Sequence, residues 1–400
     1  MFKSIKIHIR HFVLQNKLKK NNSSHLDYKY GKKNILIIDE NIPEFDKDSG
    51  SRRMTEIINI LIKNDFHVFL IADKKEYRYK LDYVPYFEKK GVIVYKPHLL
   101  NNKLVTKDQF IKTIAPHINW AILSRPNIFN SYYNKIRKIN PDCTLLFDMV
   151  DFHYIRFLRE HELTNSDASL KQAKKYKEIE NFNCLNADIT LAVSNKDKDY
   201  LKESNITPNH LRIISNIHQP NFKVSNDFNS RKDLLFIGGF KHAPNIDAVK
   251  ILYEKIMPLV WNKLPDIKIN IIGSHVPDEI KRLNSNRFII HGFVEDVSTF
   301  FNSSRVFVAP LQYGAGIKGK IGQSFEYNLP VVTTEIGLEG FDFSPYEKNM
   351  VGTINKDFAE KVISLYNEEA LWNNIHENCK SILKPFSIEE TEKTLLEILK

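Results

Sequence analysis

Short runs of Ile, Val, Leu and Phe recur along this chain between longer stretches of helical period, and the recurrence happens in two separate series. From Asn34 onward the first series comprises Ile35–Asp39, His67–Ala72, Val92–Tyr95, Trp120–Ser124, Leu145–Val150, Ile189–Val193 and Arg212–Ile214. Because these runs are continuous rather than alternating, they suit parallel strands covered on both faces. The polar stretch Ser215–Lys232 interrupts the series, and a second begins at Asp233 with Leu234–Ile237, Ile267–Ile272, Phe288–His291, Val306–Pro310 and Val331–Thr334. The pattern predicts an α/β fold of two Rossmann-like, doubly wound domains. Helices are predicted over Asn245–Asn262 and Lys356–Cys379, and the capping-box spacing Ser387-Ile-Glu-Glu390 opens a last helix. The organisation expected is therefore a basic arm at 1–33, an N-terminal domain at 34–214, a linker at 215–232, a C-terminal domain at 233–385 and a helix at 386–400.

Charge is distributed unevenly over that plan. The net charge is +10, yet residues 1–33 hold nine basic residues against one acidic, Asp27, so the other 367 residues are nearly neutral. Duplex binders spread Lys and Arg over a folded face, so nucleic acid is not an expected partner. On a helix, Phe2, Ile5, Ile9, Phe12 and Val13 would share one side and Lys3, Lys6, Arg10 and Lys17 the next, a pattern suited to an anionic membrane surface. A solvated arm, or a helix docked on the body, fits the same residues. Three cysteines, far apart and without metal-ligand spacing, fit a reducing cytoplasm. No apolar run reaches the roughly 18 residues of a spanning helix, so the expected location is cytoplasmic, peripheral on the inner membrane face if the arm binds lipid.

The most informative stretch is Gly314-Ala-Gly-Ile-Lys-Gly-Lys320, which follows the apolar run Val306–Pro310 and precedes a helix reaching about Tyr327. Glycines at a strand-to-helix turn let backbone amides approach a ligand, and the helix N-terminus adds partial positive charge. With Lys318 and Lys320 this makes an anion site able to hold a diphosphate. It is not a Walker A loop, whose G-x-x-x-x-G-K-[ST] spacing is absent.

Around that turn the sequence resembles bacterial glycosyltransferases of the GT-B fold, family 4 type (group 1 glycosyl transferases). The likeness is carried by Phe236-Ile-Gly-Gly-Phe-Lys-His-Ala-Pro-Asn-Ile-Asp247, Ile271-Ile-Gly-Ser274, His291-Gly-Phe-Val-Glu-Asp296, Ala309–Lys320, Pro330-Val-Val-Thr-Thr334 and Ile336-Gly-Leu-Glu-Gly340. A looser likeness covers Asp46–Ser51, Asp148–Arg156 and Ala187–Ser194. The resemblance implies GT-B architecture, with the two domains facing across a cleft. It also implies a nucleotide-diphosphate sugar as co-substrate on the C-terminal domain, a glycan or lipid-linked acceptor on the other, and retention of anomeric configuration. Lys318 and Lys320, with amides around Gly314 and Gly316, are then expected on the donor diphosphate. Lys241, after the Gly238-Gly239 turn, is expected as a third cation, and the amides of Gly50 and Ser51, in the turn Asp48-Ser-Gly-Ser51, as a second contact with the donor phosphates or with the acceptor. Family members often carry Glu-x7-Glu in the stretch aligned with Gly314–Gln323; here those positions read Ala315 and Gln323, which places Gln323 on the donor ribose.

On the N-terminal domain, Asp151 and His153 follow the run Leu145–Val150, at the strand end where α/β sheets present ligand groups. His153 is the expected catalytic residue, hydrogen-bonding the transferred sugar or assisting the acceptor hydroxyl, with Asp151 orienting it. The D-x-D triplets Asp46–Asp48 and Asp197–Asp199 lack a nucleotide-binding context, so no metal and no further cofactor is assigned. The expected product is a bacterial surface glycan such as capsule or lipopolysaccharide. Two rivals stay open: a nucleotide-sugar 2-epimerase, and a non-catalytic glycan-binding or partner subunit, the latter motivated by Ala315 and Gln323.

Overall fold

The computed structural model describes residues 11–19, 28–74, 82–220 and 227–400. Two parallel sheets organise it. The first has seven strands: Asn34–Asp39 (β1), His67–Ala72 (β2), Ile93–Val94 (β3), Trp120–Ser124 (β4), Thr144–Asp148 (β5), Ile189–Ala192 (β6) and Leu211–Ile213 (β7), in the order β3-β2-β1-β4-β5-β6-β7. The second has five: Leu234–Ile237 (β8), Ile269–Ile272 (β9), Phe288–Gly292 (β10), Val306–Ala309 (β11) and Val331–Thr333 (β12), in the order β10-β9-β8-β11-β12. Both orders reverse once, between β1 and β4 and between β8 and β11. Ligands of open α/β sheets bind at the carboxyl ends of the strands flanking such a reversal.

Continuous apolar strands make sense here because both faces are covered. Leu36 and Ile38 of β1 belong to one buried cluster, with Phe69, Phe110 and Phe147. Ile35 and Ile37 point into another, with Ile57, Leu61 and Leu70. The last helix, Ile388–Ile398, crosses back to that second cluster. It inserts Leu395, Ile398 and Leu399 there, and Glu392 accepts from Lys63 Nζ at 2.7 Å.

Three expectations change. The stretch 356–379 is two helices, Lys356–Asn367 and Glu369–Leu383, with Glu368 extended between them (φ −91°, ψ 92°). The break turns Trp372 into the core, where its indole N–H donates to Arg305 O at 2.7 Å. The stretch read as a polar linker holds a buried edge instead: Ile217, His218, Phe228 and Arg231 are all buried, and Arg231 is 0% exposed. Burial pushes its guanidinium down to about 10. The strand expected to run to Val150 ends at Asp148, and Val150 takes φ +65°, which a β-branched residue adopts only under constraint. Residues 1–10 of the arm lie outside the described residues; 11–19 form a helix.

Candidate active site

The glycine-lysine turn links the end of β11 to the helix Gly319–Glu326, and Gly314 (φ +132°) and Gly316 (φ +69°) supply the left-handed turns it needs. It is pressed between the domains. A Cβ on Gly319 would lie 2.5 Å from the Cβ of Ser49, so only glycine allows this approach. Ser49 starts the helix Ser49–Lys63, whose first turn follows β1. Two helices from different domains thus bring their N-termini together, and each contributes unpaired amides and the positive end of its dipole. The Asp48 side chain caps the first of these helices.

The two lysines of the turn have different surroundings. Lys318 Nζ donates to Gly316 O (2.5 Å) and lies 3.4 Å from Glu339 Oε2. Lys320 packs its ammonium 4.5 Å from the Phe236 ring centroid and hydrogen-bonds the Asn245 side-chain oxygen; among the described residues it has no carboxylate partner. Burial, with the charge of Lys318 beside it, pushes Lys320 down to about 7. Burial also lowers Lys318, against the pull of Glu339. A Cβ on Gly238, at the end of β8, would sit 2.8 Å from Lys320 Nζ, so the second sheet's reversal point and this lysine coincide.

Several residues without a local sequence signal join the turn to the N-terminal domain. Arg159, on the helix His153–Thr164, donates to Gly314 O (2.6 Å) and grips Glu339 through both terminal nitrogens (2.6 and 3.1 Å). The Tyr200 hydroxyl donates to the same carboxylate at 2.5 Å. Burial would raise Glu339, but the Arg159 hydrogen bond and the Lys318 charge hold it below the usual carboxylate range. At the hinge, Glu326 accepts from Arg52 Nη1 (2.9 Å) and Gln219 N (3.1 Å) and lies 2.8 Å from His218 Nδ1.

His153 is buried beside Asp151: its Nδ1 is 3.2 Å from Asp151 Oδ1 and 3.1 Å from Asp151 O. Its ring stacks on Tyr176 at 4.8 Å. The buried Glu180 accepts from His153 N (2.9 Å) and Tyr154 N (3.0 Å), capping a helix whose own N-cap residue, Phe152, cannot. Arg156 Nη1 donates to Asp151 Oδ2 at 2.5 Å. Burial would raise Asp151, but His153, Arg156, Arg125 and Lys318 together bring it below its ordinary value. A Cβ on Gly316 would lie 3.6 Å from Asp151 Cβ, so the turn and the His153 strand end share one space.

The remaining expected residues divide. Gly50 lies at the junction, and a Cβ there would meet Arg125 Nη2 and Val150 Cγ1, each at 3.9 Å. Ser51 corrects an expectation: its amide and hydroxyl both donate to Asp48, at 2.8 Å, and neither is free for a ligand. Lys241 is exposed, whereas its neighbour His242 is lowered by burial and by the charges of Arg156 and Lys320. Gln323 is half-buried on the helix that Lys318 opens. Ser194 caps the helix Asn195–Glu203, accepting from Asp197 N (3.1 Å) and donating to Asp197 Oδ2 (2.8 Å), and burial pushes the Asp197 carboxyl up to about 6.

Residues 231–368 match the family model described as Glycosyl transferases group 1. The chain carries a group 1 glycosyl transferase domain. The chain as a whole has the GT-B fold. It superposes on sucrose-phosphate synthase from Thermosynechococcus elongatus with a TM-score of 0.69 and 12% identity, over 92% of this chain and 98% of the other. For S. aureus TarM, solved with UDP and alpha-GlcNAc-glycerol, the TM-score is 0.67 at 12% identity, over 92% and 100% of the chains. Anabaena HepE, solved with UDP and glucose, gives 0.64 at 12% identity, over 91% and 98%. A 44.6 kDa protein from the cps region of Klebsiella pneumoniae is 24% identical over 186 residues, 44% of this chain and 47% of its own length, so the match spans about half of that curated relative.

Proposed function

We propose that this group 1 glycosyl transferase moves a sugar from a nucleotide-diphosphate sugar to a growing bacterial surface glycan, with retention and without a metal. The observation that carries the reading is the meeting of two helix N-termini, from two domains, around Lys320, a half-buried lysine that has no carboxylate partner among the described residues. Such an arrangement suits a diphosphate. The leaving group gains two negative charges' worth of stabilisation from Lys320, Lys318 and the first-turn amides near Gly319 and Gly50. Those positive groups do the work a divalent ion would otherwise do.

Asp151 borders the same space, and His153, paired with it, would meet the sugar or the acceptor hydroxyl. The cps-region relative supports capsule-type glycan synthesis, and the TarM and HepE structures carry UDP. Among the described residues no helix is long and apolar enough to cross a membrane. The helix at 11–19 exposes Phe12 (67%) and Val13 (60%), which supports contact of the arm with an anionic membrane.

Calorimetric titration with UDP, GDP, ADP and dTDP tests the reading. One of them should bind, and His153→Ala should then lower kcat by about tenfold or more with that donor's affinity within about twofold of wild type. Failure of all four to bind would favour the non-catalytic subunit that Ala315 and Gln323 motivate. Product that keeps sugar and nucleotide joined would instead indicate the epimerase.

A further inference from the structure

The wall of the cleft facing the glycine-lysine turn carries two arginines, Arg125 and Arg156, whose charges both act on Asp151. Arg125 follows β4, directly at the reversal point of the seven-stranded sheet, with φ +80°. Its backbone is fixed by Arg125 N donating to Asp148 O (2.8 Å), and Asp148 is itself locked by the buried bidentate Arg53 (2.9 and 3.0 Å) and Ser124 Oγ (2.8 Å). The side chain is anchored at one atom only, Nε to Asp39 Oδ1 at 2.8 Å. Among the described residues its two terminal nitrogens have no hydrogen-bond acceptor, and Nη2 lies 3.9 Å from where a Gly50 Cβ would be. Arg156 repeats the pattern: one terminal nitrogen donates to Asp151, the guanidinium lies 5.0 Å from the Phe157 ring centroid, and among the described residues its other nitrogens have no hydrogen-bond acceptor, the side chain being 36% exposed. A guanidinium fixed by a carboxylate at one edge presents its other edge, as a preorganised fork, to a planar or tetrahedral oxyanion.

We propose that Arg125 and Arg156 form an acceptor-side anion site, so that the acceptor carries a phosphate or a carboxylate next to the hydroxyl that receives the sugar. This rests on the glycosyltransferase reading above. It adds the substrate class: an acceptor with an ionised group, either a phosphate-bearing lipid carrier or an acidic sugar. Three carboxylates act on the site, Asp39 and Glu40 on Arg125 and Asp151 on both arginines; only Asp39 and Asp151 accept hydrogen bonds from them, one each, which leaves the remaining N–H groups for the ligand. Phosphate and carboxylate offer the same shared chemistry, and the experiment separates them.

The full chain is saturated with whichever nucleoside diphosphate binds it, then titrated with hexyl phosphate, hexyl glucuronide and the neutral hexyl glucoside. At least one anionic probe should bind about tenfold or more tighter than the glucoside, as for a charge-assisted pair. Preference for the phosphate identifies a phosphate-bearing carrier, and preference for the glucuronide an acidic sugar. The double variant Arg125→Gln/Arg156→Gln should bind all three alike, with its nucleoside diphosphate affinity within about threefold of wild type, which also certifies its fold. Equal binding of the three probes by the wild-type chain overturns the proposal, as does a double variant that keeps the preference. If the double variant loses nucleotide affinity as far as Lys320→Ala does, the arginines belong to the donor phosphates and the proposal fails while the donor reading stands. If no nucleoside diphosphate binds the wild-type chain, the donor reading fails first and this one with it.

Discussion

Two carboxylates of the C-terminal domain, Glu339 and Glu326, each hold an arginine of the N-terminal domain, yet only the first borders a cavity. At the cleft, Glu339 gathers Arg159, Tyr200 and Lys318, and it also lines an interdomain cavity of about 780 Å³. At the hinge, Glu326 and His218 are nearly sealed, their side chains 5% and 3% exposed, and the chain crosses there between domains with His218 N donating to Phe386 O (2.9 Å). An incoming phosphate can take the place of Glu339 on Lys318, because both are oxyanions reaching the same ammonium. Nothing anionic can reach the site of Glu326. The first junction is exchangeable and the second is structural, although both look alike as ion pairs.

Removal of the two carboxylates separates these roles. Glu326→Ala leaves Arg52 and the buried His218 without an acceptor and should lower stability by about 3 kcal/mol, the low end for a broken buried pair because Arg52 is partly exposed. Glu339→Ala should lose about half as much, since the cavity that Glu339, Arg159 and Tyr200 line admits water to the groups left behind. Chemical denaturation of both variants, with and without UDP, checks the order. Bound UDP should restore much of the Glu339→Ala loss beyond its effect on wild type and none of the Glu326→Ala loss. A reversed order, or equal rescue, would erase the distinction.

The two lysines extend the same contrast to the ligand. Lys320→Ala should weaken diphosphate binding by about 1.5–3 kcal/mol, as for a lost charge-assisted hydrogen bond. Lys318→Ala should cost less, about 1 kcal/mol, because binding must first draw that ammonium away from Glu339. Calorimetry on the two single variants decides between them, and a larger effect at Lys318 would mean that Glu339 does not compete.

What the sequence revealed and what it hid follows the same division between local and distant. The strands were legible because a parallel strand covered on both faces must be apolar along its length, and the glycine-lysine turn was legible because its glycines and lysines are contiguous. Arg52 and Glu326 are 274 residues apart, and Arg159 and Gly314 are 155 apart. No local pattern marks such pairs, since only closure of the two domains brings them together. Glu180 was hidden for a related reason: it caps a helix other than its own, at 26 and 27 residues' distance, whereas capping signals are read within one helix. Ser51 was misread because a serine three residues after an aspartate serves the helix cap, and the cap consumes the amide assigned to a ligand.

The smallest expected effect is in protons, and it is specific to Lys320. Its ammonium titrates near 7 in the nucleotide-free protein, against 10.5 for an unburied lysine, because burial beside Lys318 disfavours the charge. The unfolded chain therefore holds this proton more tightly, so Lys320 makes the nucleotide-free protein more stable as pH rises from about 7 towards 10. A bound diphosphate supplies the missing counter-charge and lifts the lysine back towards its ordinary value, so binding draws a proton from solvent. Titrations of UDP at pH 8 in buffers of different ionisation enthalpy should give an uptake approaching one proton per nucleotide, falling towards zero near pH 6 and absent in Lys320→Ala. Lys318, already facing Glu339, should contribute much less. Uptake that persists in Lys320→Ala would move the proton to another group and remove Lys320 from the diphosphate.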